Sequence, residues 1–328
     1  MRGSNRFVAA LTLASCSILV LPMAAFAAET ASSEVDEAAS AVAAVAPGFG
    51  SVLSHDEGSD GFVPAVETSV AIPLDPSDPI AIENGDLVES DLTWGLGLPT
   101  ASNADDGVLA QDGSVVYVAQ GNSADVVVEQ TAASLRVLTV IPTADSPTEY
   151  PYEVTGDAVP RLTADGGAEL VILDGDAEII VGVVQAPWAF DANGEAVATS
   201  YEVRGDALVQ VVAHDESSAY PVVADPTFTQ INFAQWRFRW NKAETKTIAS
   251  GGWGATALTA ICAAGGAKLG PIGAAAAGAV CFAHAAALVY NAGIGVNTKP
   301  KMRCVQLTWT STPGVWNPGI TWVDTYAC

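Results

Sequence analysis

Lysine is absent from the first 225 residues, and those residues hold only five arginines against 35 aspartates and glutamates. So few cations exclude a nucleic-acid binder, because phosphate contacts need Lys and Arg side chains. Histidine is almost as scarce, with three in 328 residues. No His stands at a clear spacing from a Ser or Cys, so no nucleophile with its base is legible. The expectation is a non-enzymatic protein without catalytic residues. Cysteine is missing between Cys16 and Cys262. The later four, Cys262, Cys281, Cys304 and Cys328, are too far apart for a zinc knuckle, with only His284 to join them as a ligand. Neither a metal nor any other cofactor is implied.

What is present divides the chain. Half the residues are apolar, so a core is available, and the length suits about two domains. Tyr220-Pro221-Val222-Val223-Ala224-Asp225-Pro226 marks the change. Up to Asp225 the 35 acids and five Arg give a formal charge of -30; from Pro226 onward two acids, Glu244 and Asp324, face eight Lys and Arg, giving +6. Tyr220, Asp225 and Pro226 are therefore a candidate processing junction.

The start resembles an export signal over residues 1–27. Arg2 and Arg6 form a positive region, Phe7 to Leu21 an apolar one, and Ala25-Phe26-Ala27 a small-x-small cleavage site. Lipid anchoring at Cys16 competes, but Ile18 to Leu21 stay apolar where a lipoprotein turns polar. Export fits the four remaining Cys, an even number that predicts two disulfides. Residues 28–61, rich in Ala, Ser, Glu and Gly, read as a solvated linker.

Residues 62–226 read as an acidic all-β domain, an antiparallel sandwich or sheet. Prolines at 64, 73, 76, 79 and 99 exclude long helices early on. From Ser114 the β-branched runs alternate with turn residues. Leu170–Leu173 and Ala177–Val181 flank Asp174-Gly175, and Tyr201–Arg204 and Ala207–Val212 flank Gly205-Asp206, the pattern of two hairpins. Tyr152–Ala158 and Tyr201–Ala207 echo one another as a repeated hairpin start. Asp191-Ala192-Asn193-Gly194-Glu195 and Asp174-Gly175-Asp176 have some of the alternation of calcium loops, but neither is complete and both fit turns.

Residues 227–328 read as a small basic α+β module stapled by disulfides. Ile231, Phe233, Trp236, Phe238 and Trp240, with Arg237 and Arg239 between, predict a strand with an aromatic face and a basic one. Asn241-Lys242-Ala243-Glu244 has the form of a capping box, so a helix runs to about Ser250. Two small-residue helices follow, over Trp253–Ala264 and Pro271–Tyr290, the second nearly long enough to approach a membrane span. Burial in a soluble fold and insertion in a membrane both stay open, since Ala and Gly contribute little transfer energy. In the last hairpin, pairing Cys304 with Cys328 sets Val305, Leu307 and Trp309 opposite Ala327, Thr325 and Val323, one face largely apolar. Cys262 with Cys281 follows by elimination. In a simple antiparallel helix pair those two would miss by about 10 Å at helical rise, so either the helices cross at an angle or this pairing is wrong.

The runs Ala186–Gly194, Tyr201–Gly205, Val211–His214 and Tyr220–Pro226 resemble a motif chain of secreted actinobacterial proteins of undefined function. Asn241–Lys246 and the Gly- and Ala-rich Cys segment are similar to the tail that accompanies it. The resemblance spans about residues 170 to 328 and implies secretion and architecture, with no catalytic residues to carry over.

Two functions are consistent with these features. In the first, the acidic β-domain is a pro-region docked on, and shielding, a basic bacteriocin-like effector directed at the envelope. Lys299, Lys301, Arg303 and Trp316 would then meet an anionic membrane or cell-wall polymer. In the second, the chain stays whole as an extracellular binding or structural protein.

Overall fold

The computed structural model describes residues 23–66, 68–83, 93–174, 177–229, 234–252, 255–265, 270–311 and 321–328. The chain opens with helix α1 (Met23–Val45), followed by strands β1 (His55–Glu57), β2 (Gly61–Pro64), β3 (Val70–Pro73), β4 (Ile80–Glu83) and β5 (Thr93–Leu96). Next come β6 (Val108–Leu109), β7 (Val115–Tyr117), β8 (Asp125–Gln130), β9 (Ser134–Ile141), β10 (Glu149–Gly156), β11 (Ala158–Leu162) and β12 (Ala168–Asp174). Then follow β13 (Ala177–Val184), β14 (Ala189–Phe190), β15 (Thr199–Arg204), β16 (Ala207–Val212), β17 (Val222–Ala224), β18 (Thr227–Thr229) and β19 (Ala234–Arg239). Helices α2 (Lys242–Ala249), α3 (Ala255–Gly265), α4 (Gly270–Ala283) and α5 (Ala285–Asn297) precede the closing strands β20 (Arg303–Ser311) and β21 (Thr321–Ala327).

The strands are antiparallel and form two sheets, as the β-rich reading expects. One runs β1-β2-β3-β4-β5-β10-β16-β15; the other runs β21-β20-β19-β13-β18-β9-β8-β7-β6, with β11, β12, β14 and β17 attached beside it. Both expected hairpins form. β12 pairs with β13 out to Asp174 opposite Ala177, and β15 pairs with β16 with Arg204 opposite Ala207.

The second sheet does not stop at residue 226. β18 pairs with β9 and β13, and β19 pairs with β13 on one side and β20 on the other. Burial follows the same course. One contiguous apolar cluster holds Trp94, Leu96, Tyr152 and Phe228 together with Trp236, Phe238, Trp240, Leu258, Leu288 and Leu307. A separate domain would have its own core; here residues on both sides of the junction share one.

Residues 28–61, expected as a solvated linker, are mostly built into the fold. Val35, Ala38, Ala39 and Val42 are spaced i, i+3, i+4, i+7, which gathers them on one face of α1. That face is buried on Val116, Val127, Leu138, Val140 and Val223. The stripe is short and half alanine, so composition hides it. With α1 on one face and the first sheet on the other, β8 and β9 are buried almost throughout, which suits the run Val126–Val128 and the apolar residues on both faces of β9. After the helix, Arg136 ties the chain down: its Nη1 donates to the Pro47 carbonyl at 2.7 Å, its guanidinium lies 4.5 Å from the Phe49 ring centre, and its Nε donates to Glu129 at 2.7 Å. The charged and apolar parts of the proposed export signal before Met23 lie outside the described residues.

The capping box forms as read, with Asn241 accepting from Ala243 and Glu244 amides and the Glu244 carboxylate accepting from the Asn241 amide. The long helix expected over Pro271–Tyr290 is instead two, broken at His284 and bent by 67°, and the second continues to Asn297. The continuation is held by packing. Leu288, Ala292 and Gly295 are buried, and a Cβ on Gly295 would sit 2.5 Å from the Arg303 carbonyl oxygen, so only glycine lets α5 approach β20 this closely.

Both disulfides join the expected partners, Cys262 to Cys281 and Cys304 to Cys328. Near the first, Gly278 lies against Thr259. Gly278 lies against Ala263 as well, so α3 and α4 pack closely beside the bridge. The final hairpin differs from its expected register by two residues: Val305 faces Thr325, Leu307 faces Val323 and Trp309 faces Thr321. A shift of two keeps every side chain on its face, because strand side chains alternate with period two.

Candidate functional site: a buried junction and an exposed helical elbow

Charge alone would make the junction a loop between two bodies, but the chain folds it into the sheet. Val222, Val223 and Ala224 pair with Ile141, Val140 and Thr139, and Thr227 with Arg136. Between them Asp225 is fully buried. Its Oδ1 accepts from the Trp188 amide at 2.9 Å and from Gln210 Nε2 at 3.1 Å. The Tyr201 hydroxyl faces the same carboxyl, and burial of Asp225 pushes its pKa up to about 7 against the amide and hydroxyl contacts that favour the anion. Burial, with the Asp225 charge adding to it, also holds the Tyr201 hydroxyl well above the ordinary tyrosine range. The Pro226 carbonyl accepts from the Val137 amide at 3.0 Å. Tyr220, half-buried, has its hydroxyl 2.9 Å from His214 Nδ1 and 2.9 Å from the Asp215 carbonyl oxygen.

Of the three sequence-marked junction residues, Asp225 and Pro226 thus lie inside the protein. A protease needs an exposed stretch of chain that can be drawn out of the fold. Around Asp225 and Pro226 the chain offers none without loss of the β17 and β18 pairings.

The basic face of β19 is covered as well. Arg237 sends Nη1 and Nη2 to the two Glu169 oxygens at 2.8 Å each, and Arg239 Nη1 lies 3.3 Å from Glu178, which also accepts from Arg161 at 2.6 Å. Although burial opposes it, the Arg237 guanidinium holds Glu169 below the usual carboxylate range. Burial pulls Arg239 down. The opposite face carries the aromatics: Trp236 and Phe238 stack on Trp309 with ring centres 5.6 and 5.4 Å apart. The acceptors Glu169 and Glu178 were lost among 37 acids, and only strand pairing singles them out.

Surface cations remain at the end of α5. Lys299 and Lys301 are exposed, whereas Arg303 is half-buried and donates to Thr325, from Nε to Oγ1 at 3.0 Å and from Nη2 to the carbonyl at 2.5 Å. Trp316 lies outside the described residues. The structure adds three residues that sequence reading passed over. Phe282, Tyr290 and Ile294 are 59%, 70% and 45% exposed. The only hint was their bulk within two stretches rich in Ala and Gly, with Tyr290 and Ile294 four residues apart on α5 and Phe282 eight before Tyr290 on α4.

The carboxylates read as partial calcium loops serve turns where they can be seen. Asp191 Oδ1 accepts from the Asn193 and Glu195 amides at 2.9 Å each and Oδ2 from the Ala219 amide at 3.1 Å. Burial opposes the charge, yet these amides hold Asp191 below the usual carboxylate range. Gly175 and Asp176 lie outside the described residues. Among the described residues no three His, Cys, Asp or Glu side chains are placed to hold a metal ion. The histidines are engaged in packing: His55 lies 3.0 Å from Gln130 Oε1, His214 2.9 Å from the Pro147 carbonyl and His284 2.9 Å from the Val280 carbonyl.

These features define a mostly antiparallel β protein with a few helices and two C-terminal disulfides, bonds that belong to an oxidising environment. No protein-family model matches the chain, and no curated protein matches it. Among solved structures, the KRT10-binding region domain of the pneumococcal serine rich repeat protein PsrP aligns at 11% identity with a TM-score of 0.16, over 44% of this chain and 82% of that one. A similarity at that level carries no argument.

Proposed function

We propose that the protein is a secreted, non-enzymatic protein that works at the cell envelope as one uncleaved chain. In this reading the acidic β-sheet region is a permanent scaffold, and the basic disulfide-stapled C-terminal region makes the contact with an anionic membrane or cell-wall polymer. The observation that carries the uncleaved reading is the burial of Asp225 and Pro226 between two paired strands. Its counterpart is the strand β19, which donates its arginines to Glu169 and Glu178 and its aromatics to the shared core. Release of a bacteriocin-like fragment at residue 226 would pull β18 and β19 from the sheet. Trp236 and Phe238 would lose their cover, and Glu169 would keep a buried charge without its partner.

The test is intact-mass spectrometry of the protein recovered from the culture supernatant of its host, with and without reductant. The expected result is a single chain that contains the junction and both cysteine pairs, gaining four hydrogens on reduction. A fragment that begins near Thr227 would overturn the uncleaved reading in favour of a processed effector.

A further inference from the structure

The C-terminal helices carry a surface that packing among the described residues leaves exposed. On α5, Ala286, Tyr290 and Ile294 are exposed at successive helical turns, and Phe282, near the end of α4 just before the bend, is exposed as well. Phe282 and Tyr290 are the aromatic side chains among the large exposed apolar groups of the described residues. The row cannot turn inward, because the opposite face of α5 is fixed by Leu288, Ala292 and the close seat of Gly295 on Arg303.

Charge identifies what covers it. From Thr245 to Val323 the chain has no Asp or Glu, within a protein of net charge -24. The same stretch contains Lys246, Lys268, Lys299, Lys301 and Arg303. Lys299 and Lys301 follow the C-terminus of α5 directly and are exposed. The helix itself carries no charge; what suits an interface is its exposed apolar row followed directly by Lys299 and Lys301 with no carboxylate in the stretch. Its apolar groups enter the acyl boundary while the lysines reach the headgroups. No single helix among the described residues is long and apolar enough to cross a membrane, and the apolar pair Ala277–Ala283 and Ala285–Asn297 is bent by 67°. Such an elbow suits lying in the interface.

We propose that the α4–α5 elbow, through Phe282, Tyr290, Ile294, Lys299 and Lys301, docks on an anionic phospholipid bilayer. This rests on the envelope reading above and names the surface and the ligand class. A symmetric second copy is a worse occupant, because it would set the same lysines against each other across a two-fold axis.

The experiment is co-sedimentation of the full-length oxidised protein with vesicles of equimolar phosphatidylglycerol and phosphatidylcholine, and with phosphatidylcholine alone. Binding is expected to the anionic vesicles and to weaken with salt. The variant Lys299→Gln/Lys301→Gln is expected to lower partitioning roughly twenty-five-fold, from about fivefold per cation near the surface. Tyr290→Ser/Ile294→Ser should abolish detectable binding. Val63→Ser/Leu162→Ser, which removes exposed apolar groups from the acidic region, should leave it unchanged and so serves as the control for altered folding.

Absence of binding by the natural chain, or equal binding by all variants, overturns the proposal. A concentration-dependent dimer in sedimentation velocity, lost in the Tyr290→Ser/Ile294→Ser chain, would also overturn it and assign the elbow to a second copy. Binding of lipid-stripped cell-wall sacculi without vesicle binding would sink the lipid inference and leave the envelope reading standing. Failure with both would remove the two together.

Discussion

Asp225 makes a quantitative prediction about pH. Its carboxyl is fully buried and its pKa is pushed up to about 7, against a value of 3.8 for the free side chain. The folded protein therefore holds a proton there that the unfolded chain has released. Stability falls with rising pH wherever the native state binds more protons. The contribution is fully present below about pH 4, declines through the interval up to about 7, and is lost above it. At 1.36 kcal/mol for each unit of pKa, the loss approaches about 4 kcal/mol, a large part of the stability of an ordinary domain. Asp225→Asn removes the titration but keeps an oxygen to accept from the Trp188 amide and Gln210. The assay is urea unfolding of both chains at about pH 4.5 and about pH 8 at constant ionic strength, which spans most of the decline. The natural chain should lose stability across that range relative to the Asn variant, and the variant should be the more stable at the higher pH. Because both carry nearly the same surface charge, repulsion among the other acids cancels in the comparison. Parallel pH dependence of the two chains would refute the argument.

Other substitutions probe the remaining joints of the fold. Arg237→Met leaves Glu169 buried without its bidentate partner and should cost about 3–5 kcal/mol in denaturant unfolding, with Glu169→Gln added to that chain recovering part of the loss. Gly295→Ala forces a Cβ to within 2.5 Å of the Arg303 carbonyl, where only backbone movement gives room, and should lower stability by about 1–3 kcal/mol in a thermal melt. Val42→Ala, deep in the stripe that α1 buries, should cost about 2 kcal/mol and speed hydrogen exchange in α1 before it does so in β8 or β9.

Short-range features are legible in the sequence. The β12–β13 and β15–β16 hairpins, the capping box at Asn241 and Glu244 and the Cys304–Cys328 pairing follow from local spacing and from alternation within a strand, whereas Cys262–Cys281 follows only by elimination. All but the last depend on residues near in sequence, where turn chemistry and side-chain period act without distant partners. The two-residue offset in the last hairpin marks the limit of such reading, because alternation specifies a face and leaves the register modulo two.

What tertiary structure decided is everything that required a distant surface. Val35, Ala38, Ala39 and Val42 form a helix face worth burying only because β7, β8, β9 and β17 offer an apolar sheet beneath them. Opposite charge on the two sides of residue 226 reads equally as two docked domains or as one body. The strand β19, inserted between β13 and β20, makes it one core. Asp225 looks like any of 37 acids until strand pairing removes it from water, and its proton affinity is a property of that burial. Likewise the exposure of Phe282, Tyr290 and Ile294 follows from which face of α5 the sheet claims, since apolar composition alone says that a face is greasy and only packing says whether it is covered.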